Sequence, residues 1–209
     1  MSDSEQKDRP VTTDAVEHAE AMRTLQTEQR EKVKSKEVDR GIVLVHTGDG
    51  KGKSTAAFGV AIRAAGCGQK VGLVQFIKGK WKTGEQAAIK RFPEVEHVVS
   101  GDGFTWDTQD REKDVASAMR GLEVAKRMLA SGEQEVVILD EINVALSYGY
   151  LPEEDLLRAI EARPEHVSVV LTGRGAPEAL IEAADTVTEH ACVKHAFQAG
   201  IRARKGVEF

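Results

Sequence analysis

The sequence has 209 residues, 41% of them apolar and 30% charged, which suits one soluble globular domain with polar flanks. Its net charge of −5 argues against the basic surface that sequence-independent binding to nucleic acid requires. No apolar run approaches the ~20 residues of a membrane span, and the polar N-terminus lacks the apolar segment of a secretory signal. We therefore expect a cytoplasmic protein that binds neither nucleic acid nor membrane.

The first forty residues are polar and charged. Residues 1–13 have the composition of a disordered tail, whereas Asp14 and Glu17 have the spacing of a helix capping box. From there to Arg40, apolar residues recur only thinly at helical spacing, so we expect a marginal helix that packs on its own domain or on a partner subunit. We divide the chain into an N-terminal tail and charged helix, residues 1–40, and a compact domain, residues 41–209.

Short apolar runs alternate with amphipathic segments from Gly41 onward. The runs predict strands over residues 42–45, 71–77, 95–99, 135–139, 167–171 and 185–189. The segments between them predict helices over residues 54–65, 83–90, 110–130, 152–162 and 177–183. Continuously apolar strands that alternate with helices indicate an α/β fold, with a mostly parallel sheet covered by helices on both faces.

The two cysteines, Cys67 and Cys192, are too few for a disulfide scaffold, and neither belongs to a CxxC pair. We expect both to be reduced thiols that serve as small buried hydrophobic residues.

The strongest functional signal is HTGDGKGKST, residues 46–55, which lies between a predicted strand and a predicted helix, the context of a P-loop. Glycines let backbone N–H groups turn toward phosphate oxygens, and the helix N-terminus adds partial positive charge. Lys53 supplies a full charge to the phosphates, and Ser54 offers a hydroxyl to Mg²⁺. The alternative is a glycine-rich turn with no ligand.

The P-loop departs from the usual GxxxxGK[ST] pattern at its start. Thr47 stands where the first glycine is expected, the glycines fall at every second position after it, and Lys51 adds a second cation. The predicted nucleotide-binding residues are Thr47, Gly48, Asp49, Gly50, Lys51, Gly52, Lys53, Ser54, Thr55 and the more distant Arg174.

Two further polar segments directly follow predicted strands. Asp140 and Glu141 end the run VVILDE, where they can hold Mg²⁺ or Mn²⁺ together with Ser54. Arg174, in TGRG, follows the fifth strand and should reach the same crevice as the P-loop, because ligands bind at the carboxyl ends of parallel strands. Its guanidinium can bind phosphate oxygens through two donors. The alternatives are solvated strand-end carboxylates and a surface arginine in a turn.

Six short motifs occur in a characteristic order: TGDGKGKSTAAFG at residues 47–59, QFIKG at 75–79, GDGFTW at 101–106, LDE at 139–141, TGRG at 172–175 and VKHAFQAG at 193–200. Together they closely resemble the P-loop class of cob(I)alamin adenosyltransferases, the ATP:corrinoid adenosyltransferases of cobalamin biosynthesis and salvage. The resemblance covers residues 41–209, and the charged N-terminal segment resembles the family's extra helix.

The resemblance implies a homodimer with a RecA-like P-loop fold that transfers the 5′-deoxyadenosyl group of ATP to the Co(I) of a corrinoid and releases triphosphate. The corrinoid would be cob(I)yrinic acid a,c-diamide, cobinamide or cobalamin, and a flavoprotein is the candidate reductant that supplies Co(I). By position, Lys53, Glu141 and Arg174 would act in catalysis, Phe104 and Trp106 would lie beneath the corrin, and the N-terminal helix would help to close the site.

One position departs from the family pattern, because Asp49 stands where most members carry Asn. A carboxylate beside a triphosphate is repelled unless it meets Mg²⁺ or a ribose hydroxyl. The histidines need no catalytic partner, since cob(I)alamin is itself a strong nucleophile, and the sequence offers none for His46 or His190. For His195, in VKHAF, we expect a structural hydrogen bond.

The rival functions are a RecA-like P-loop ATPase, a small-molecule kinase and a non-catalytic nucleotide sensor. Glu141 would activate water in the ATPase, and a kinase would need a basic lid, for which Lys80, Lys82, Lys90 and Arg91 are the candidates. The products separate them: triphosphate from the transferase, phosphate from the ATPase, ADP with a phosphorylated acceptor from the kinase, and none from the sensor.

Overall fold

A computed structural model describes residues 14–77, 83–101 and 110–208. Within these residues the chain divides into one compact unit that ends at Asp39 and a second that begins at Arg40. None of the helices in these ranges is long and apolar enough to cross a membrane.

The first unit contains one helix, α1, over Ala15–Lys34. Asp14 begins it, since its carboxylate accepts hydrogen bonds from the backbone N–H groups of Val16 at 2.8 Å and Glu17 at 3.1 Å. The predicted helix and its capping residue are thus confirmed. No side chain of α1 is buried, which agrees with the thin apolar stripe of its sequence.

The second unit is built on a six-stranded sheet in which every neighbouring pair of strands is parallel. The strands are β1 Val43–Thr47, β2 Val71–Gln75, β3 Val95–Val99, β4 Val136–Asp140, β5 Ser168–Thr172 and β6 Thr186–Glu189. The helices are α2 Lys53–Gly66, α3 Gly84–Ile89, α4 Arg111–Ser131, α5 Ile142–Ser147, α6 Glu153–Glu161 and α7 Glu178–Ala183, followed by a 3₁₀ turn at Ala196–Ala199.

Apolar side chains pack on both faces of this sheet, because successive residues of a strand point to opposite sides. In β4, Val137 and Leu139 join a core that includes Leu122 and Leu129 of α4. Val136 and Ile138, on the other face, join a core whose helical members include Ala57, Phe58 and Ala61 of α2. The continuously apolar strands of the sequence therefore mark a sheet that is covered on both sides.

The strand order is β3-β2-β4-β5-β1-β6. One strand, β5, thus separates β1, which leads into the P-loop, from β4, which leads into the acidic pair Asp140 and Glu141. This is the arrangement of RecA-like P-loop proteins, so the predicted α/β fold of RecA-like type is confirmed. The P-loop and the acidic pair both lie at the carboxyl edge of the sheet, where open α/β sheets bind ligands.

The structure corrects two expectations drawn from the sequence. Cys67 and Cys192 are exposed rather than buried. Cys67 ends α2 beyond its last buried turn, and Cys192 follows the edge strand β6, so neither meets the core. The short helix α5 and the 3₁₀ turn were not predicted, because six and four residues are too few to establish a helical period.

Candidate active site

The P-loop closes around the side chain of Lys53, the first residue of α2. Its ammonium donates to the carbonyl oxygens of Gly48 at 2.6 Å and Gly50 at 2.5 Å. Only 8% of Lys53 is exposed. The cation is therefore held at the centre of the loop by the loop's own backbone, with Ser54 and Thr55 following it on α2.

Two of the loop's glycines allow a neighbouring segment to come close. A Cβ atom on Gly48 or on Gly50 would lie 2.6 Å from the carbonyl oxygen of His190, which follows β6. Gly48 also has a φ of 89° and Gly52 a φ of 109°, both in the left-handed region that favours glycine. The glycines thus allow the backbone conformation of the loop and its close packing against His190, in addition to the access of a ligand.

His190 contacts the P-loop through its backbone and its ring. Its N–H donates to the carbonyl of Thr47 at 2.9 Å, and its carbonyl accepts from the N–H of Gly50 at 2.6 Å. Its ring Nδ1 lies 3.2 Å from the carbonyl of Lys51, and Nε2 lies 3.3 Å from Nδ1 of His46. This pairing cannot be inferred from the sequence, because 144 residues separate the two histidines.

Burial lowers the pKa of the His46 imidazole, and the neighbouring charge of His190 lowers it further. The rings meet edge to face, with centroids 5.4 Å apart. Burial and the charge of His190 both favour the neutral form of His46.

The acidic pair divides into a buried and a more accessible carboxylate. Asp140 is fully buried, and its two oxygens accept from the Thr172 hydroxyl at 2.7 Å and the Gln75 amide at 2.8 Å. These donors lie on the two strands that flank β4, so Asp140 is oriented from both sides. These two bonds leave Asp140 fewer lone pairs for a metal than a solvated carboxylate has.

Glu141 has a strained backbone. Its φ of 64° is the one positive value of a non-glycine residue within the described ranges. A left-handed backbone costs a non-glycine residue on the order of 1 kcal/mol and persists where the surroundings impose it. Here the Glu141 N–H donates to the hydroxyl of Thr172 at 2.9 Å. Thr172, which was not a predicted site residue, therefore contacts both members of the acidic pair.

Gln75 extends this network to the edge of the sheet. Its carbonyl oxygen accepts from the amide of Gln86 at 3.0 Å and lies 2.9 Å from Nε2 of His97. Because a carbonyl only accepts, Nε2 of His97 carries a proton. Burial lowers the pKa of His97, and the charge of Lys90 adds to this effect, whereas Asp140 opposes it.

The two other predicted phosphate-binding cations, Lys51 and Arg174, lie beside acidic side chains. Nε of Arg174 lies 3.8 Å from the carboxylate of Asp49, with both side chains largely exposed. Lys51 forms an ion pair with Glu208 near the C-terminus. An anion that enters the loop must therefore compete with these carboxylates for Lys51 and Arg174.

Some predicted residues lie outside the described part of the chain. These are Phe104 and Trp106, with Lys80 and Lys82 of the candidate kinase lid. His195 makes the structural hydrogen bond that was expected, since its Nδ1 accepts from the backbone N–H of Phe197 at 3.1 Å.

A family described as ATP:corrinoid adenosyltransferase BtuR/CobO/CobP matches residues 39–209 of the sequence. The chain belongs to this family. The family resemblance noted in the sequence is thereby confirmed, and the chain is placed among transferases rather than among P-loop ATPases or kinases.

Individual relatives agree with this assignment. A corrinoid adenosyltransferase of Pseudomonas aeruginosa is 51% identical over 210 residues, which cover 100% of both chains. The corrinoid adenosyltransferase CobA of Salmonella typhimurium is 48% identical over 171 residues, 82% of this chain and 87% of that one. Among solved structures, the RadB recombinase superposes with a TM-score of 0.42 at 14% identity, covering 77% of this chain and 79% of that one.

Proposed function

We propose that this protein transfers the 5′-deoxyadenosyl group of ATP to the Co(I) of a corrinoid. An electron pair of Co(I) attacks the ribose C5′, a Co–C bond forms, and the C5′–O bond breaks. The bonding electrons leave with the triphosphate. The observation that carries the proposal is the P-loop closed around Lys53 at the carboxyl edge of the sheet, in a chain of this family.

Stabilising the leaving group is the chemical task for which this site is best equipped. Co(I) supplies the nucleophile, so the protein must position C5′ and neutralise the charge that develops on the departing triphosphate. Lys53 is held in place before the ligand arrives. Lys51 and Arg174 would exchange Glu208 and Asp49 for phosphate oxygens. We assign Asp49 this role of a resident partner for Arg174, which removes the need for direct contact with the triphosphate.

The donor set suits Mg²⁺ held partly by the nucleotide. The described ranges contain no group of three or more His, Cys, Asp or Glu side chains that could hold a metal on its own. Mg²⁺ typically binds through one or two protein oxygens together with phosphates and water. We propose that Ser54 and Glu141 supply those oxygens, while Asp140 orients Glu141 through Thr172. The ion would neutralise charge on the triphosphate.

Family membership supports a proposal for the corrinoid side of the site. We propose that Phe104 and Trp106 pack beneath the corrin and that the protein is a homodimer in which α1 helps to enclose the substrate. The exposed apolar residues of α1, Val16 and Leu25 among them, are consistent with a partner for this helix. Light scattering tests whether the protein is a dimer. We also propose that a flavoprotein supplies the electron that reduces the corrinoid to Co(I).

The test is incubation with ATP, Mg²⁺ and chemically reduced corrinoid, followed by the corrin absorption spectrum before and after illumination. A product spectrum that changes on illumination to that of a corrinoid without the adenosyl group identifies a Co–C bond. An unchanged spectrum with release of phosphate would instead indicate an ATPase. The assay is repeated with cobyrinic acid a,c-diamide, cobinamide and cobalamin, and the largest kcat/KM identifies the preferred corrinoid.

A further inference from the structure

His190 contacts the P-loop from outside it through both its backbone and its ring. Its backbone forms hydrogen bonds with Thr47 and Gly50, and Nδ1 of its ring lies 3.2 Å from the carbonyl oxygen of Lys51. A Cβ atom on Gly52 would lie 3.3 Å from Nδ1 of the same ring. The ring thus lies directly against the peptide that joins Lys51 to Gly52.

The hydrogen-bond partners determine where the protons of this histidine pair lie. A carbonyl oxygen only accepts, so Nδ1 of His190 carries a proton and donates it to Lys51. In a neutral His190 ring, Nε2 is then an acceptor, and the proton between the rings belongs to Nδ1 of His46. A proton on Nδ1 of His46 is thus compatible with the tautomer in which His190 donates to the loop.

Holding the Lys51 carbonyl also orients the next N–H group. In a trans peptide the C=O and N–H bonds point in opposite directions. When the Lys51 carbonyl points at His190, the N–H of Gly52 points away from it. Backbone N–H groups that point into such a loop are the donors that bind phosphate oxygens.

We propose that His190 is a positioning residue for the triphosphate. Its ring holds the Lys51–Gly52 peptide so that the Gly52 N–H is presented to a phosphate oxygen before the nucleotide binds. The inference rests on the proposed function only in taking a triphosphate as the ligand of the loop.

The test uses inorganic triphosphate as the probe and calorimetry as the readout, so that no turnover is required. His190→Ala should weaken triphosphate binding roughly tenfold. Without the His190 ring, the Gly52 N–H would lose its charge-assisted hydrogen bond to a phosphate oxygen. His190→Asn can place its amide nitrogen near the position of Nδ1 and should recover most of the affinity. His190→Gln extends toward the position of Nε2 and should bind as weakly as the alanine variant.

Nuclear magnetic resonance supplies a second readout at the atom concerned. The Gly52 amide signal should shift when triphosphate binds to the wild type and to His190→Asn, but not to His190→Gln. If His190→Ala does not fold, the comparison of the Asn and Gln variants decides.

Equal affinity in the wild type and His190→Ala would overturn the inference, as would equal impairment of the Asn and Gln variants. Failure of the proposed function has a different signature. A wild type that binds triphosphate but forms no light-sensitive corrinoid would refute adenosyl transfer and leave the role of His190 standing.

Discussion

The hydroxyl of Thr172 accepts a hydrogen bond from the backbone N–H of Glu141 at 2.9 Å. The same hydroxyl donates to the carboxylate of Asp140 at 2.7 Å. A single side chain at the end of β5 thus links the buried member of the acidic pair to the backbone of the strained member. Through this link, the orientation of Asp140 is passed to the residue that we propose as the metal ligand.

Thr172→Val should therefore weaken metal binding more than it weakens nucleotide binding. The change keeps the shape of the side chain but removes the two hydrogen bonds that the Thr172 hydroxyl makes, one to the Asp140 carboxylate and one from the Glu141 N–H, each a loss of about 1–3 kcal/mol when buried. We expect Mn²⁺ affinity in the presence of ATP to fall roughly tenfold. Titration followed by electron paramagnetic resonance measures it.

Thr172→Ser is the matched control, because it restores the hydroxyl and removes only a methyl group. It should bind Mn²⁺ nearly as the wild type does. If the Val and Ser variants bound Mn²⁺ equally well, Thr172 would have only a packing role.

Lys53→Ala should nearly abolish activity and leave the fold intact. A charge-assisted contact with phosphate is worth ~1.5–3 kcal/mol, which corresponds to about one to two orders of magnitude in ATP affinity. The loss is larger in kcat/KM if the contact strengthens as the triphosphate departs.

Lys51→Ala provides the comparison for Lys53. The Lys51 side chain is 56% exposed and already paired with Glu208, so the effect of this change on ATP affinity should be several-fold smaller. Equal kcat/KM for ATP in Lys53→Ala and the wild type would remove Lys53 from the site.

His97 should make the stability of the protein depend on pH. Burial lowers its pKa below the ordinary 6.5, so near that pH the unfolded chain binds more protons than the folded one. The free energy of unfolding should therefore decrease as the pH falls from about 7 through 6.5.

His97→Gln should reduce this dependence, because glutamine can donate to Gln75 without titrating, and the lowered pKa of His46 accounts for part of what remains. Urea denaturation at several pH values between 5 and 8 provides the comparison. Wild-type and variant curves with the same slope would show that His97 does not contribute.

Phe104→Ala and Trp106→Ala should impair adenosylation from Co(II) with mild reductants far more than adenosylation from pre-reduced Co(I). If the aromatics exclude the lower axial ligand of cobalt, reduction becomes easier, because no axial donor raises the energy of the axial orbital. ATP affinity should hardly change. Electron paramagnetic resonance of the Co(II) corrinoid with ATP measures the coordination, and a five-coordinate signal common to the wild type and both variants would contradict the proposal.

The parts of this site that the sequence reveals are local in the chain. The P-loop and the acidic pair each combine an apolar strand with adjacent polar residues, so their chemistry can be inferred without knowledge of the strand order. The contacts of Thr172 with Glu141 and of His190 with His46 depend on which strands are neighbours. Thr172 meets the acidic pair because β5 lies beside β4, and His190 meets His46 because β6 lies beside β1.

The burial of the two carboxylates is harder to predict from the sequence than their chemical role. Asp140 and Glu141 are adjacent carboxylates after the same strand, yet one is oriented by two buried donors while the other adopts a left-handed backbone. Nothing in their types or spacing distinguishes them. The difference arises from Gln75 and Thr172, which lie on separate strands and far from the pair in sequence.

The measurement that tests adenosyl transfer most directly is ³¹P nuclear magnetic resonance of the products during turnover with reduced corrinoid. Attack at C5′ leaves all three phosphates joined, so one triphosphate should appear for every light-sensitive corrinoid formed. ADP with phosphate, or AMP with diphosphate, in that proportion would mean that a phosphorus–oxygen bond breaks instead. Either result would contradict transfer of the 5′-deoxyadenosyl group.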